Sequence, residues 1–250
     1  MPEGVVTSVP APPESSLHRV PKAGLVDRIG FVLERARGRR VIHLGFVDET
    51  RMDERVRHGS WLHAQLARVA EEVVGIDISA EGVRAAAAAG YAVHQADCED
   101  AEAVAALELD PADIVLAGEL VEHLTSPGRM LDAVRPFVGR GGELIVTTPN
   151  ACAFTNVLAG LIGREFVNAD HVGWQSWRTG TALLERHGYT VRETAFYPFP
   201  RLDVVQSIQA SHRRRVRAFN AYLGAVTPFY ALRPSLADGL ILVATPTADP

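Results

Sequence analysis

Residues Asp113 to Asn150 read DIVLAGELVEHLTSPGRMLDAVRPFVGRGGELIVTTPN. The apolar run Ile114–Ala117 has the length and composition of a buried strand. It stops at Gly118-Glu119, where Glu119, Glu122 and His123 follow in close succession. From about Ser126 to Val138 the apolar spacing turns helical, with Ser126 placed as N-cap and Pro127 at the first helical position. Gly139, Gly141 and Gly142 end that helix. A second apolar run, Leu144–Thr148, closes on Pro149-Asn150. Strand, polar strand end, helix, glycine turn and strand make one turn of an open α/β sheet. Ligands of such sheets lie at the carboxyl ends of the strands, where these polar residues fall.

The same stretch resembles the central segment of class I S-adenosylmethionine (SAM) dependent methyltransferases. Within that class it is similar to the ubiquinone-biosynthesis O-methyltransferase type, in the pattern Glu119-Leu-Val-Glu122-His123-Leu124, then Gly141-Gly142-Glu-Leu144, then Thr147-Thr148-Pro149-Asn150. The resemblance covers roughly residues 41–189. It implies a Rossmann-like α/β fold: a seven-stranded, mostly parallel sheet with helices on both faces and an antiparallel last strand.

Outward from this segment, Arg40–Leu44 reads as the first strand, Glu72–Ile78 as the second, Tyr91–Gln95 as the third, Tyr189–Phe196 as the sixth and Leu240–Ala244 as the last. Helices are expected over 22–37, 61–70, 79–89, 151–163 and 177–187. Residues 1–20 are rich in proline and small residues and read as a flexible tail. Residues 21–246 read as one domain, with 203–232 a helical insertion and candidate lid. Asp48–Ser60 reads as a long charged loop.

The resemblance assigns the cofactor's site. An acidic residue followed by a glycine-rich turn is expected after the first strand; here His43 stands at the acidic position, Gly45 remains, and Phe46-Val47-Asp48 replaces the other glycines. Either the loop holds SAM differently, with Asp48 or Glu49 partly replacing the missing acid, or the cofactor has been lost. Asp77 ends its strand with the two carboxylate oxygens a ribose diol requires, and its other reading is a helix cap. Ile78 would flank the adenine, Asp97 would meet its amino group, and Cys98 would lie beside the ring. Glu119 is assigned to the cofactor as well as to a metal.

Glu119, Glu122 and His123 share one side if Glu119 opens a helical turn. His171 arrives from beyond the Leu144–Thr148 strand. Two carboxylates and two imidazoles suit Mg²⁺ or Mn²⁺, an arrangement similar to that of small-RNA 2′-O-methyltransferases. Three readings stay open: a metal shell of Glu119, Glu122, His123 and His171; catalysis without metal, by His123 or His171 as base with Glu122; and a plain capped helix start. His58, Asn150, Asp170 and Trp174 are the candidate substrate contacts.

Composition narrows the acceptor. The chain's 250 residues carry a formal net charge of −5, with 47% hydrophobic residues. No overall basic field exists for nucleic acid, and Arg213-Arg214-Arg215, the one basic run, reads as a solvated helix face. Two cysteines exclude a disulfide framework or a cysteine zinc site. The N-terminus lacks signal-peptide features, and no apolar run approaches a membrane span. A cytoplasmic enzyme without a membrane partner is expected, with a homodimer as the default assembly. It would methylate a hydroxyl of a sugar or other polyhydroxylated small molecule. An RNA ribose methyltransferase and a non-catalytic SAM-fold binding protein are the alternatives.

Overall fold

A computed structural model describes residues 17–48, 52–200 and 210–247. The flexible tail expected over residues 1–16, Glu49, and the start of the 203–232 insertion lie outside the described residues.

The strands, in chain order, are β1 (Gly24–Leu25), β2 (Arg40–Leu44), β3 (Glu72–Asp77), β4 (Ala92–Gln95), β5 (Ala112–Gly118), β6 (Val138–Pro149), β7 (Tyr189–Tyr197) and β8 (Gly239–Pro246). They form a single sheet in the order β1-β7-β8-β6-β5-β2-β3-β4. β8 runs antiparallel between β6 and β7, and the other pairs are parallel. The expected seven strands are present, and β1 adds a two-residue eighth at the β7 edge. The apolar runs of β2, β5, β6 and β8 are buried on both faces by helices, which is why they show no polar alternation.

The helices are α1 (Arg28–Ala36), α2 (Met52–Arg57), α3 (Leu62–Val69), α4 (Ala80–Ala88), α5 (Ala101–Ala105), α6 (Pro127–Val134), α7 (Phe154–Leu161), α8 (Trp177–Arg186) and α9 (Ala210–Leu232). Val32 and Ala36 of α1 and Leu62 and Leu66 of α3 pack on one sheet face with Val41, Ile145 and Ile241. Met130, Leu131 and Val134 of α6, with Leu184 of α8, pack on the other with Ile42, Leu144 and Leu242. Adjacent residues of one strand therefore serve opposite cores, a division that decides the site below.

Three local expectations change. The Asp48–Ser60 stretch is not a plain loop, because α2 forms within it and Arg55 Nε meets Asp48 Oδ2 at 2.7 Å. The helix after Ser126 ends at Val134, since Pro136 removes a backbone donor and a 3₁₀ turn, Arg135–Phe137, leads into β6. Ser126 is the N-cap residue but its side chain makes no capping bond. The Glu99 carboxylate instead accepts the Ser126 N–H, tying the end of β4 to the start of α6.

Candidate active site

The loop after β2 explains how non-glycine residues occupy a glycine-rich position. Gly45 keeps φ +62°, and a Cβ there would come 2.7 Å from Leu120 Cδ1. The left-handed conformation and the close approach both demand glycine. Phe46 and Val47 turn their side chains inward to places that other glycines leave open. A Cβ on Gly75 would lie 2.6 Å from the Phe46 ring, and one on Gly82 would lie 2.4 Å from Val47 Cγ1. The missing glycines of the loop are thus matched by glycines on β3 and α4. Phe46 packs with Trp61, Val83 and Ala86, and its carbonyl accepts the Trp61 indole N–H at 2.9 Å.

Asp77 holds this loop. Its Oδ2 accepts the Val47 N–H at 2.8 Å and its Oδ1 the Ser79 N–H at 2.9 Å. The cap of α4 is Ser79, which accepts from Gly82, so the capping reading of Asp77 is replaced by a tether between two strand ends. Ile78, next in sequence, is 65% exposed, an apolar surface beside that carboxylate. Asp97 Oδ1 accepts the Glu99 N–H at 2.9 Å. Cys98 is buried, and burial with the neighbouring carboxylates Asp97 and Glu99 pushes its thiol up to about 12, which leaves it inert.

His43 is buried under the loop and stacks on His63, with their Nδ1 atoms 3.4 Å apart. One neutral ring donates and the other accepts. Burial, then His63, then Arg28 hold His43 well below the usual histidine range, and burial alone lowers His63 to about 4. The residue at the acidic position is therefore a neutral imidazole in the core, not a ligand-facing group.

The turn after β5 separates the carboxylates that the sequence placed together. No helical turn forms; Glu119 adopts φ +54°. Its Oε1 accepts from Thr147 Oγ1 at 3.0 Å and from the Tyr197 hydroxyl. Arg28 Nη1 reaches Thr147 Oγ1 at 3.3 Å, and its guanidinium lies 5.8 Å from the Tyr197 ring centre. Glu122 instead accepts from Thr148 Oγ1 at 2.9 Å. Thr147 and Thr148 are consecutive in β6 and point to opposite sheet faces, so Glu119 and Glu122 are drawn to opposite faces as well. Among the described residues, the metal-capable group whose ligand atoms lie within 4.8 Å of one another is Glu122, His123 and His171. Glu119 is not part of it, which corrects the four-residue shell.

Within that group Glu122 is buried, and burial, with the Glu119 charge second, raises its carboxyl to about 8. The Glu122 carbonyl accepts the N–H groups of Val172 and Gly173 at 2.9 and 3.1 Å, which seats the 168–174 segment against the turn. His123 and His171 meet edge to face at 4.7 Å. Asp170 Oδ2 lies 3.3 Å from His123 Nδ1, and Asn168 Nδ2 lies 3.3 Å from His171 Nε2. His171 Nδ1 is buried with no hydrogen-bond partner, and burial, then His123, hold this ring below the usual histidine range. Trp174 Nε1 is likewise buried without a partner.

Two candidate substrate contacts fall elsewhere. Asn150 is buried and fully used by the fold: Nδ2 donates to the Ser235 and Ala237 carbonyls at 2.9 and 2.8 Å, and Oδ1 accepts the Cys152 N–H. It binds the segment before β8 rather than a ligand. His58 is exposed at the end of α2, its backbone N–H bonding the Glu54 carbonyl, and it is not in the Glu122 group. Conversely, the sequence reading missed Arg28, Thr147, Thr148 and Tyr197. The two threonines were in the quoted motif, and their alternation in a strand was the available signal.

With this geometry in place, comparison with known proteins agrees with it. Residues 57–194, more than half of the chain, match the model of a methyltransferase domain family. A ubiquinone biosynthesis O-methyltransferase of Cupriavidus pinatubonensis is 32% identical over 113 residues, 44% of this chain and 45% of that protein. The chain thus matches under half the length of that curated relative. The protein of the same description from Pectobacterium atrosepticum is 26% identical over 212 residues, 75% of this chain and 83% of its own. Among solved structures, a SAM dependent methyltransferase from Archaeoglobus fulgidus superposes with a TM-score of 0.51 at 16% identity, covering 87% and 90% of the two chains. The magnesium protoporphyrin IX methyltransferase of Synechocystis PCC 6803, solved with bound SAH, gives 0.52 at 15% identity, covering 88% and 81%. These neighbours carry the fold alone; on the family-model match, the chain belongs to the methyltransferase domain family.

Proposed function

We propose that the protein transfers the methyl group of SAM to a hydroxyl of a small polyhydroxylated molecule in the cytoplasm, with Mg²⁺ or Mn²⁺ held by Glu122, His123 and His171. The observation that carries the reading is the convergence of these three side chains at the turn after β5, with a buried, unpartnered His171 Nδ1 among them. Oxygen and nitrogen donors without thiolate suit a hard divalent ion. When bound, the metal would lower the pKa of an acceptor hydroxyl and fix its line of attack.

The chain's own residues do the rest. Gly45 admits the methionine part of the cofactor, Asp77 at the end of β3 accepts from the ribose hydroxyls, and Ile78 and Asp97 flank the adenine. Arg28, at the ends of β5 and β6, supplies a cation for the methionine carboxylate. Asp170 holds His123 Nδ1 as the protonated nitrogen, which leaves Nε2 directed at the ligand. The Trp174 indole N–H donates to the acceptor. In the transfer, the hydroxyl oxygen forms a bond to the methyl carbon, the sulfur–carbon bond breaks, and its electron pair stays on sulfur as a thioether. The hydroxyl proton leaves to solvent.

A second reading rests on the same orphaned atom. With the Asn168 side-chain oxygen turned to accept from Nε2–H, a neutral His171, kept so by burial and by His123, accepts the hydroxyl proton on Nδ1 and no metal takes part. Titration of Mn²⁺, followed by loss of the free-ion electron paramagnetic resonance signal, separates the two. The metal reading predicts stoichiometric uptake that is lost in His171→Ala and kept in Glu119→Ala. An unchanged free-ion signal with the wild type, alongside retained methyl transfer in EDTA, sinks it in favour of the base.

A further inference from the structure

Two irregularities of the sheet fall at the end remote from the Gly45 loop. Between β5 and β6, Ala112 pairs with Val138 and Ile114 with Glu143, so residues 139–142 bulge out opposite Asp113 alone. Glycines make that bulge: Gly141 has φ +80°, and a Cβ on Gly142 would lie 2.9 Å from the Ala112 carbonyl oxygen. Arg140 is carried within it, exposed. Between β7 and β8, Val191 pairs with Ala244 and Glu193 with Val243, which makes Arg192 the extra residue of a second bulge. Bulges re-aim side chains and recur beside functional sites.

Both of these arginines, with Arg135, line one cavity of about 740 Å³ at the amino-terminal ends of β6 and β7. That volume is in the range of small-molecule pockets. It is not the transfer site, because Gly142 on its wall precedes Thr148 by six residues of strand, about 20 Å. Two of the guanidiniums are held in position. Arg135 Nη2 donates to the Thr247 carbonyl at 3.2 Å, and Arg192 Nε donates to Thr245 Oγ1 at 3.0 Å. The Arg140 side chain makes no hydrogen bond or ion pair among the described residues.

One carboxylate shares the wall: Asp132, whose Oδ1 lies 2.8 Å from His187 Nδ1. Three guanidiniums against one carboxylate give a formal +2 in a chain whose total is −5. A concave wall dominated by one sign of charge concentrates the opposite ion.

We infer that this cavity is a second ligand site, for a small molecule bearing an oligophosphate chain. Arginine forks match phosphate oxygens two at a time, and each phosphoryl group presents three acceptor oxygens. Guanidiniums brought from three separate elements call for anionic groups at several points, which a single phosphate lacks. Pro136 and Pro246 add an apolar wall for a nucleoside attached to the chain.

Calorimetric titration of the full chain tests this. EDTA removes divalent ions, and a saturating amount of the demethylated product of SAM keeps nucleotides from the cofactor loop. The probes are inorganic triphosphate, ATP, inorganic phosphate and citrate. Triphosphate and ATP should bind one to one, more tightly than phosphate or citrate, and about 0.5 M NaCl should weaken both. Equal affinity assigns the site to an inorganic chain, and tighter ATP assigns the Pro136–Pro246 wall to a nucleoside; either supports the site. Arg140→Ala should weaken binding by about tenfold or more, and Arg140→Ala with Arg192→Ala by about 100-fold or more. Arg213→Ala with Arg214→Ala, on α9, should leave it unchanged. Circular dichroism verifies that the variants remain folded, and Arg140→Ala alone decides if the double variant does not. Absence of heat with both polyphosphates overturns the inference. So does phosphate or citrate binding as tightly as triphosphate, affinity unchanged by the cavity substitutions, or affinity lost with the α9 pair.

Discussion

Lowering the pH should destabilise this protein through the His43–His63 pair, and His63→Leu should remove a defined share of that loss. His63 is fully buried among Phe46, Trp61 and Tyr91, with ring centres 4.8–5.4 Å away. Its Nε2 has no partner, so a charged ring there gains nothing in return for its lost hydration. In the unfolded chain a histidine titrates near 6.5; folded, His63 does so near 4. Above pH 6.5 neither state binds the proton and the group is neutral in the balance. As the pH falls from 6.5 towards 4 the unfolded state takes up a proton that the folded state refuses, and stability drops. At pH 5 the gap is about 1.5 pH units, or about 2 kcal/mol. Glu122 acts with the opposite sign, because its raised pKa costs stability as the pH rises through the range from its unfolded value towards 8. The raw profile therefore mixes both, and the difference between variant and wild type isolates His63. Urea unfolding at pH 7 and pH 5 should show the wild type losing about 2 kcal/mol more than His63→Leu. Identical losses in the two proteins would refute the claim that His63 is held neutral by burial.

Other substitutions test the loop and the packing of α9. Gly45→Ala should lower stability by about 1–2 kcal/mol from the positive φ, plus the Leu120 clash; adding Leu120→Ala should recover the clash alone, read from urea midpoints. Asp77→Ala should weaken SAM binding by at least about 100-fold in calorimetry. It should also lower stability by about 1–3 kcal/mol, because the Val47 and Ser79 amides lose their acceptor; Asp77→Asn should retain more of the stability than of the binding. Asp238→Ala strands the Thr155, Tyr230 and Phe199 donors. It should cost about 3 kcal/mol or more and raise amide hydrogen exchange across α9 before the sheet.

The sheet was legible because its strands are buried on both faces and announce themselves as apolar runs with polar ends. The antiparallel last strand came from family resemblance and holds. The site was read less well, for reasons that sit in particular residues. Glu119 and Glu122 are three apart, and helical spacing would join them; the left-handed φ of Glu119 and the alternation of Thr147 and Thr148 part them. Asn150 carried the polarity expected of a ligand contact, but its partners are carbonyls 85 and 87 residues away. Phe46 and Val47 resembled damage to a cofactor loop because Gly75 and Gly82, which receive their side chains, are remote in sequence.

The central claim is that the altered Gly45 loop still holds SAM beside a metal-ready cluster. Calorimetric titration of SAM and of its demethylated product, each with and without Mg²⁺, tests it most directly. The account predicts binding of both nucleosides, lost in Asp77→Ala. No heat for either compound under any condition would contradict it, and would leave the protein a non-catalytic member of its family.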